Sequence, residues 1–199
     1  MFKYRTIGGL TLLLAAITIS LKGQSFELSK ENASIVISGT STLHDWKMSV
    51  RIFDCNADFT LMGSRLNGID NITFSCKATD LKSESSLMDK KAYSAMKSRE
   101  FPEIKFNSIS SVEISPDNDK FRDSLRGNLS IAGKSMPVSI PFNGSLSNIN
   151  GIGIIEVSGK TELNMSDFEI SPPVLMLGTL KTGDKITILF SLQFQQKAG

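Results

Sequence analysis

One histidine and two cysteines make up the whole supply of imidazole and thiol in this chain of 199 residues. A structural zinc site asks for four ligands at set spacing and a catalytic one for three, so zinc has no candidate site here. A hydrolytic triad would need Asp45 to orient the adjacent His44, yet neighbours on a strand point to opposite faces. No Gly-x-Ser-x-Gly elbow occurs, and no pair of carboxylates is set apart as a glycosidase would require. The expectation is a protein that is not an enzyme and carries no cofactor or metal, with a hydrolase as a distant alternative.

Long hydrophobic runs are almost absent. The exception is Ile7 to Leu21, uncharged and mostly apolar, preceded by Lys3 and Arg5 and followed by polar sequence from Lys22. That run is short for a membrane span and its Thr and Ser residues dilute it, so a secretory signal cleaved between Ser20 and Gln24 is favoured over a retained anchor. No Cys follows it, which excludes a bacterial lipid anchor at that point. Residues 1–23 are thus read as signal and 24–199 as one domain, with no stable membrane insertion once the signal is gone. A periplasmic or secreted location in a Gram-negative-type bacterium follows.

Excess charge is lacking as well. Of 22 basic residues three lie in that first segment, which holds no acid, so the rest of the chain has a net charge of −1. A near-neutral, mixed surface gives no reason to expect nucleic acid or an anionic membrane as partner. Tryptophan and tyrosine are scarce too, one and two against twelve phenylalanines. The aromatic content is therefore built for apolar packing.

What the chain does have is alternation. Ile186, Ile188, Phe190, Leu192 and Phe194 alternate with more polar residues, as do Phe53, Cys55, Ala57, Phe59 and Leu61, and again Ile72, Phe74, Cys76 and Ala78. Period two marks strands with one dry and one wet face. Trp46, Met48, Val50 and Ile52 run on the opposite parity to Phe53 onward, which predicts a bulge or bend inside one long strand. Turn-type clusters fall at Met62-Gly63-Ser64, Pro116-Asp117-Asn118-Asp119, Ala132-Gly133-Lys134, Asn148-Ile149-Asn150-Gly151 and Thr182-Gly183-Asp184. Strands joined this closely form antiparallel meanders, and about eight of them close a small barrel.

One stretch breaks the pattern. Ser86, Leu87, Met88 and Asp89 open a helix near residues 86–98, with Ser86 as N-cap and Pro102 as stop. Met88, Ala92, Ala95 and Met96 share one face, either a flexible cover over an apolar cavity or ordinary packing on the barrel's end.

Three motifs in order resemble the YceI-like family. They are Ser86-Leu87-Met88-Asp89 through Met96-Lys97 followed by Phe101-Pro102-Glu103-Ile104-Lys105-Phe106; then Gly127-Asn128-Leu129-Ser130-Ile131-Ala132-Gly133-Lys134 running on through Ser135-Met136-Pro137-Val138; then Leu163 to Ile170 followed by Gly183-Asp184-Lys185-Ile186. The resemblance spans roughly Asn32 to Gln196. It departs where well-known members open on Asp-x-x-His-Ser and this chain reads Gly39-Thr40-Ser41-Thr42-Leu43-His44-Asp45-Trp46. It implies an all-β, antiparallel, eight-stranded lipocalin-like barrel whose interior takes up a polyisoprenoid, an isoprenoid quinone or a fatty-acid-like amphiphile. The alternative is a secreted structural or interaction module with a solid core.

Inward positions rich in Phe, Met and Val are the expected wall of such an interior: Met48, Val50, Phe53, Phe59, Phe74, Met88, Met96, Phe106, Phe142, Phe168, Met176 and Phe190. His44 and Trp46 are either polar and aromatic contacts at the mouth, or parts of a turn in which Ser41, Thr42 and Asp45 bond backbone groups. If the strands around Cys55 and Cys76 form a hairpin through Met62–Gly68, pairing the two cysteines keeps Ala57 opposite Phe74 and Phe59 opposite Ile72 on the dry face. An oxidising compartment then predicts a Cys55–Cys76 disulfide, against two buried thiols in neighbouring strands. Ligand identity and oligomeric state are not written in the sequence.

Overall fold

Alternating residues become strands throughout the computed structural model, which describes residues 25–115, 119–175 and 180–197. The strands are β1 (Phe26–Leu28), β2 (Ser34–Ser41), β3 (Trp46–Val50), β4 (Asp54–Met62), β5 (Arg65–Lys77), β6 (Leu81–Lys82), β7 (Glu103–Ser108), β8 (Val112–Glu113), β9 (Lys120–Ile131), β10 (Lys134–Ile149), β11 (Ile152–Asn164), β12 (Val174–Leu175) and β13 (Leu180–Gln196). A single helix, α1 (Ser86–Ala95), stands between β6 and β7 among the described residues. All thirteen strands belong to one antiparallel sheet.

That sheet is an eight-walled barrel whose walls are partly split. β1 and β2 share one edge of β13, at Phe194–Gln196 and at Thr182–Ser191. β7 and β8 share one edge of β5, and β6 continues β5 after a 3-10 turn at Ala78–Asp80. β3 and β4 are the two halves of one bent strand: β3 pairs with β2 and β6, whereas β4 pairs with β5. With β9, β10, β11 and β13 the count is the expected eight, β12 being a short arm folded onto β13. The bent strand closes the ring, because it carries the pairing from β5 across to β2.

The bend is where the parity switched. Met48 and Val50 are buried, Arg51 and Ile52 both face outward, and Phe53 and Cys55 are buried again. Two consecutive outward residues reset the phase, and the freed Arg51 amide donates to the Asp80 carbonyl at 2.9 Å. Elsewhere tight turns join the walls. Ala132 (φ 52°) and Gly133 (φ 82°) are left-handed, as a two-residue hairpin of matching twist requires; Asn150 (φ 54°) and Gly151 (φ 86°) repeat this between β10 and β11.

Three local expectations are corrected. The cluster Thr182-Gly183-Asp184 is not a turn but an irregularity inside β13, between Thr182 and Ile186, and the Asp184 carboxylate accepts from the Ser166 amide there at 2.8 Å. The helix cap is Ser85, whose hydroxyl accepts from the Met88 amide at 3.4 Å, one residue before the expected Ser86. Asp89, in the first turn of that helix, is buried and accepts from the Ser83 amide (2.7 Å) and hydroxyl (2.8 Å). The cluster at Pro116-Asp117-Asn118 lies outside the described residues.

The third correction concerns the cysteines. The β4–β5 turn spans only Gly63 and Ser64, setting Met62 against Arg65, and two irregularities then shift the register. Cys55 consequently faces Phe74, Phe59 faces Ile69, and Cys76 faces Ile104 on the far side. The dry faces are as expected, but the register is two residues away from a Cys55–Cys76 pair. Diagonal residues on neighbouring strands stand ~7–8 Å apart, beyond the usual reach of a disulfide. Both thiols are free and buried.

Candidate functional site: an apolar cavity under a helix

The two ends of the barrel are filled differently. At one end aromatic rings pack solid: Phe59 meets Phe26 at 5.4 Å and Phe194 at 5.0 Å, edge to face. Phe121 meets Phe142 at 6.1 Å, and Ile155 is fully buried. Such contacts give interior packing density with no room for a guest. Toward the other end the inward side chains become Ile, Leu, Val and Met, and a cavity of about 470 Å³ remains. That size lies in the range of small-molecule sites, roughly 300–1,000 Å³.

The wall can be followed row by row. Ile37, Ile188 and Thr161 lie side by side across β2, β13 and β11, and the next row toward the mouth holds Gly39, Ile186 and Leu163. Gly39 leaves room for a neighbour: a Cβ there would stand 2.4 Å from the Trp46 ring. The indole of Trp46, paired across from Gly39, therefore lies against the strand and donates its Nε1 hydrogen to the Thr40 carbonyl at 3.1 Å. Gly159 plays the same part for Phe190, where a Cβ would come within 2.5 Å of the ring. Opposite, β9 and β10 offer Leu125, Leu129, Ile131, Val138 and Ile140, and β5 and β7 offer Ile72, Phe74, Ile104 and Phe106.

Helix α1 covers this space. Leu87, Met88, Ala92, Ala95 and Met96 all line it, so the apolar face predicted for the helix is turned onto the cavity. Two polar anchors hold the helix in place. Asp89 is tied to Ser83, and the Tyr93 hydroxyl donates to the Leu81 carbonyl at 2.7 Å.

Of the residues expected in the wall, His44, Trp46, Met48, Val50, Phe74, Met88, Met96, Phe106 and Phe190 line the cavity. Phe53, Phe59, Phe142 and Phe168 do not. Phe59 and Phe142 belong to the solid end. Phe53 packs on the Phe74 ring, at 5.9 Å. Phe168 is buried in the 3-10 turn Met165–Phe168, whose neighbours Met165 and Ile170 reach the cavity instead. Met176 lies outside the described residues. The β9–β10 wall, together with Ile35, Ile37, Ile186 and Ile188, was not expected to line the site. Its signal is the same period two, legible in Leu125-x-Gly127-x-Leu129-x-Ile131 and Val138-x-Ile140-x-Phe142.

At the mouth, His44 sits in a turn that the Ser41 and Thr42 hydroxyls tie to the backbone. The Ser41 hydroxyl donates to the His44 carbonyl (2.7 Å) and accepts from the His44 amide (3.2 Å), and Thr42 Oγ1 accepts from the Lys181 amide (3.2 Å). The segment is thus a hydroxyl-built turn, and its imidazole lines the opening. His44 Nδ1 lies 2.9 Å from the Asp45 carbonyl oxygen, a backbone partner and not a nucleophile. Exposed Leu43 and Leu87 flank the same opening. Deeper down, Cys55 and Cys76 complete the wall. Burial pushes both thiols up to about 12, and the Asp80 carboxylate adds to the effect at Cys76, so neither is a nucleophile at neutral pH.

A search of curated protein sequences finds no match. Solved structures do resemble this fold. A polyisoprenoid binding domain from Saccharophagus degradans superimposes with a TM-score of 0.63 at 7% identity, over 87% of this chain and 99% of its own. BcnA of Burkholderia cenocepacia gives 0.61 at 12% identity, over 84% and 99%. The YceI protein of Campylobacter jejuni gives 0.60 at 16% identity, over 75% and 84%. At such identities the likeness concerns the fold alone, but the sequence itself matches the YceI-like domain over residues 25–194. On that match, which takes in the three motifs and both ends of the barrel, the chain belongs to the YceI-like family.

Proposed function

We propose that this protein is a binding protein, not an enzyme, which holds the hydrocarbon tail of an amphiphile inside its barrel. The observation that carries the proposal is the cavity of about 470 Å³ with its almost wholly apolar wall. Water gains little in such a space, because few wall groups offer it hydrogen bonds, whereas a lipid tail loses its contact with solvent. Each buried methylene contributes about 0.8 kcal/mol, so a ten-carbon tail gains roughly 8 kcal/mol before ordering costs are subtracted. A polyisoprenoid, an isoprenoid quinone or a fatty acid fits this chemistry. The similar domain from Saccharophagus degradans, described as polyisoprenoid binding, supports the choice. The signal read in residues 1–23 supports export to the periplasm, an aqueous space where such tails need a carrier.

The test is extraction. Protein purified from its native compartment should release a lipid in roughly stoichiometric amount on treatment with organic solvent. Isoprenoid quinones and fatty acids should raise its melting temperature, the longer tails more, until the cavity is full. Protein that yields no lipid and melts at the same temperature with every ligand would refute the carrier reading.

A further inference from the structure

The charged side chains that line the cavity are both cationic. Lys91 projects from the covering helix and Lys181 from the start of β13, and both line the opening together with His44 and the hydroxyls of Ser41, Ser85 and Thr182. Among the described residues no carboxylate lines it. The acids nearest in the chain are engaged elsewhere or lie outside the lining: Asp89 is held by Ser83 and Asp184 by Ser166, while Asp45 and Glu84 are exposed. Among the described residues neither Lys91 nor Lys181 sits within 4.0 Å of a carboxylate. Exposed Lys47 and Lys90 share that trait, and what sets Lys91 and Lys181 apart is that they line the cavity.

From this arrangement we infer that the ligand's head group is anionic, a carboxylate or a phosphate monoester, and that Lys91 and Lys181 bind it at the mouth. The inference rests on the tail-binding reading above and narrows it. A tail drawn into the apolar wall leaves its polar end at the level of these two ammonium groups and the neighbouring hydroxyls. An anionic oxygen there makes charge-assisted hydrogen bonds that a quinone or an alcohol does not match. A cationic head would meet like charges from two sides. Because the lysines are exposed, each pair is worth a modest amount, and the preference is a selectivity laid over the tail's affinity.

Competition against a fluorescent apolar probe, below the micelle-forming concentration and near neutral pH, tests this with laurate, dodecyl phosphate, dodecanol and dodecylamine. The tails are identical and only the heads differ. Laurate and dodecyl phosphate should bind about fivefold more tightly than dodecanol, with dodecylamine weakest. Which anion leads tells carboxylate from phosphate. Added salt should shrink the advantage. The double variant Lys91→Gln/Lys181→Gln should bring the ratio of laurate to dodecanol affinity down to about one, and Lys91→Arg/Lys181→Arg should restore it. Equal binding of all four heads, or an advantage that survives the glutamine variant, overturns the head-group inference and leaves the cavity reading standing. Failure of every dodecyl compound to displace the probe overturns both.

Discussion

Residues at the two ends of this barrel occupy the same kind of strand position but answer to different demands. Phe194 is buried against Phe59 in the solid end, so Phe194→Ala leaves a void the neighbours fill only in part. It should cost about 3–5 kcal/mol in urea unfolding and leave ligand affinity at the mouth unchanged. Ile188 borders space that is already open. Ile188→Ala should cost less than half as much and weaken tail binding instead; equal costs at the two sites would contradict the division. The cysteines give a second residue-scale test. Intact mass without reductant should show two free thiols. Their folded pKa, raised to about 12 from 9.0, means the folded protein keeps protons that the unfolded chain releases from about pH 9 upward. Stability from this source is full below pH 9 and declines between pH 9 and 12, by at most ~1.4 kcal/mol per pH unit for each thiol. Cys55→Ala/Cys76→Ala should flatten that decline relative to the parent; an unchanged slope would count against the burial of the thiols.

Two elements carry the mouth, the bent strand β3–β4 and the covering helix. Trp46 is the single tryptophan, and its position depends on the absence of a side chain at Gly39. Gly39→Val should push the indole off the strand, lengthening the wavelength of its emission and widening the opening. Emission identical to the parent would mean that the ring finds its place without the glycine. The helix is fastened by few polar bonds, and Tyr93 to the Leu81 carbonyl is one of them. Tyr93→Phe removes that bond for about 1 kcal/mol. Amide exchange in α1 should accelerate while the β10–β11 hairpin remains as protected as before. The helix was legible as a helix because Met88, Ala92, Ala95 and Met96 repeat at helical spacing. What the repeat did not reveal was whether that face met a packed end or an open one.

As a whole molecule the protein joins a solid half, which stabilises the fold, to a hollow half that leaves apolar groups without neighbours. The hollow half is costly when empty, since its wall lacks the contacts a filled core has. Filling it should therefore stabilise the molecule unevenly. Bound fatty acid should slow amide exchange in α1 and around the mouth rows of β2 and β13, with little change near Phe26 and Phe59. Uniform protection across the barrel would point to a global effect without a seated ligand.

The sequence by itself determined the class of structure: alternation made the strands, the parity switch at Arg51–Phe53 located the bend, and paired left-handed turn residues made hairpins. Each is a local property, set by side-chain spacing or by the backbone freedom of one or two residues. The tertiary structure decided which inward residues meet a partner and which face a void. Phe59 and Phe74 stand on the same dry strand face, yet one packs in the solid end and the other lines the cavity, because their surroundings come from distant strands. The β4–β5 register was undecided for a similar reason: a shift of two residues preserves every dry face, so the hydrophobic pattern does not distinguish a Cys55–Cys76 pair from Cys55 opposite Phe74. Only the tight turn at Gly63–Ser64 and the irregularities after it make that choice.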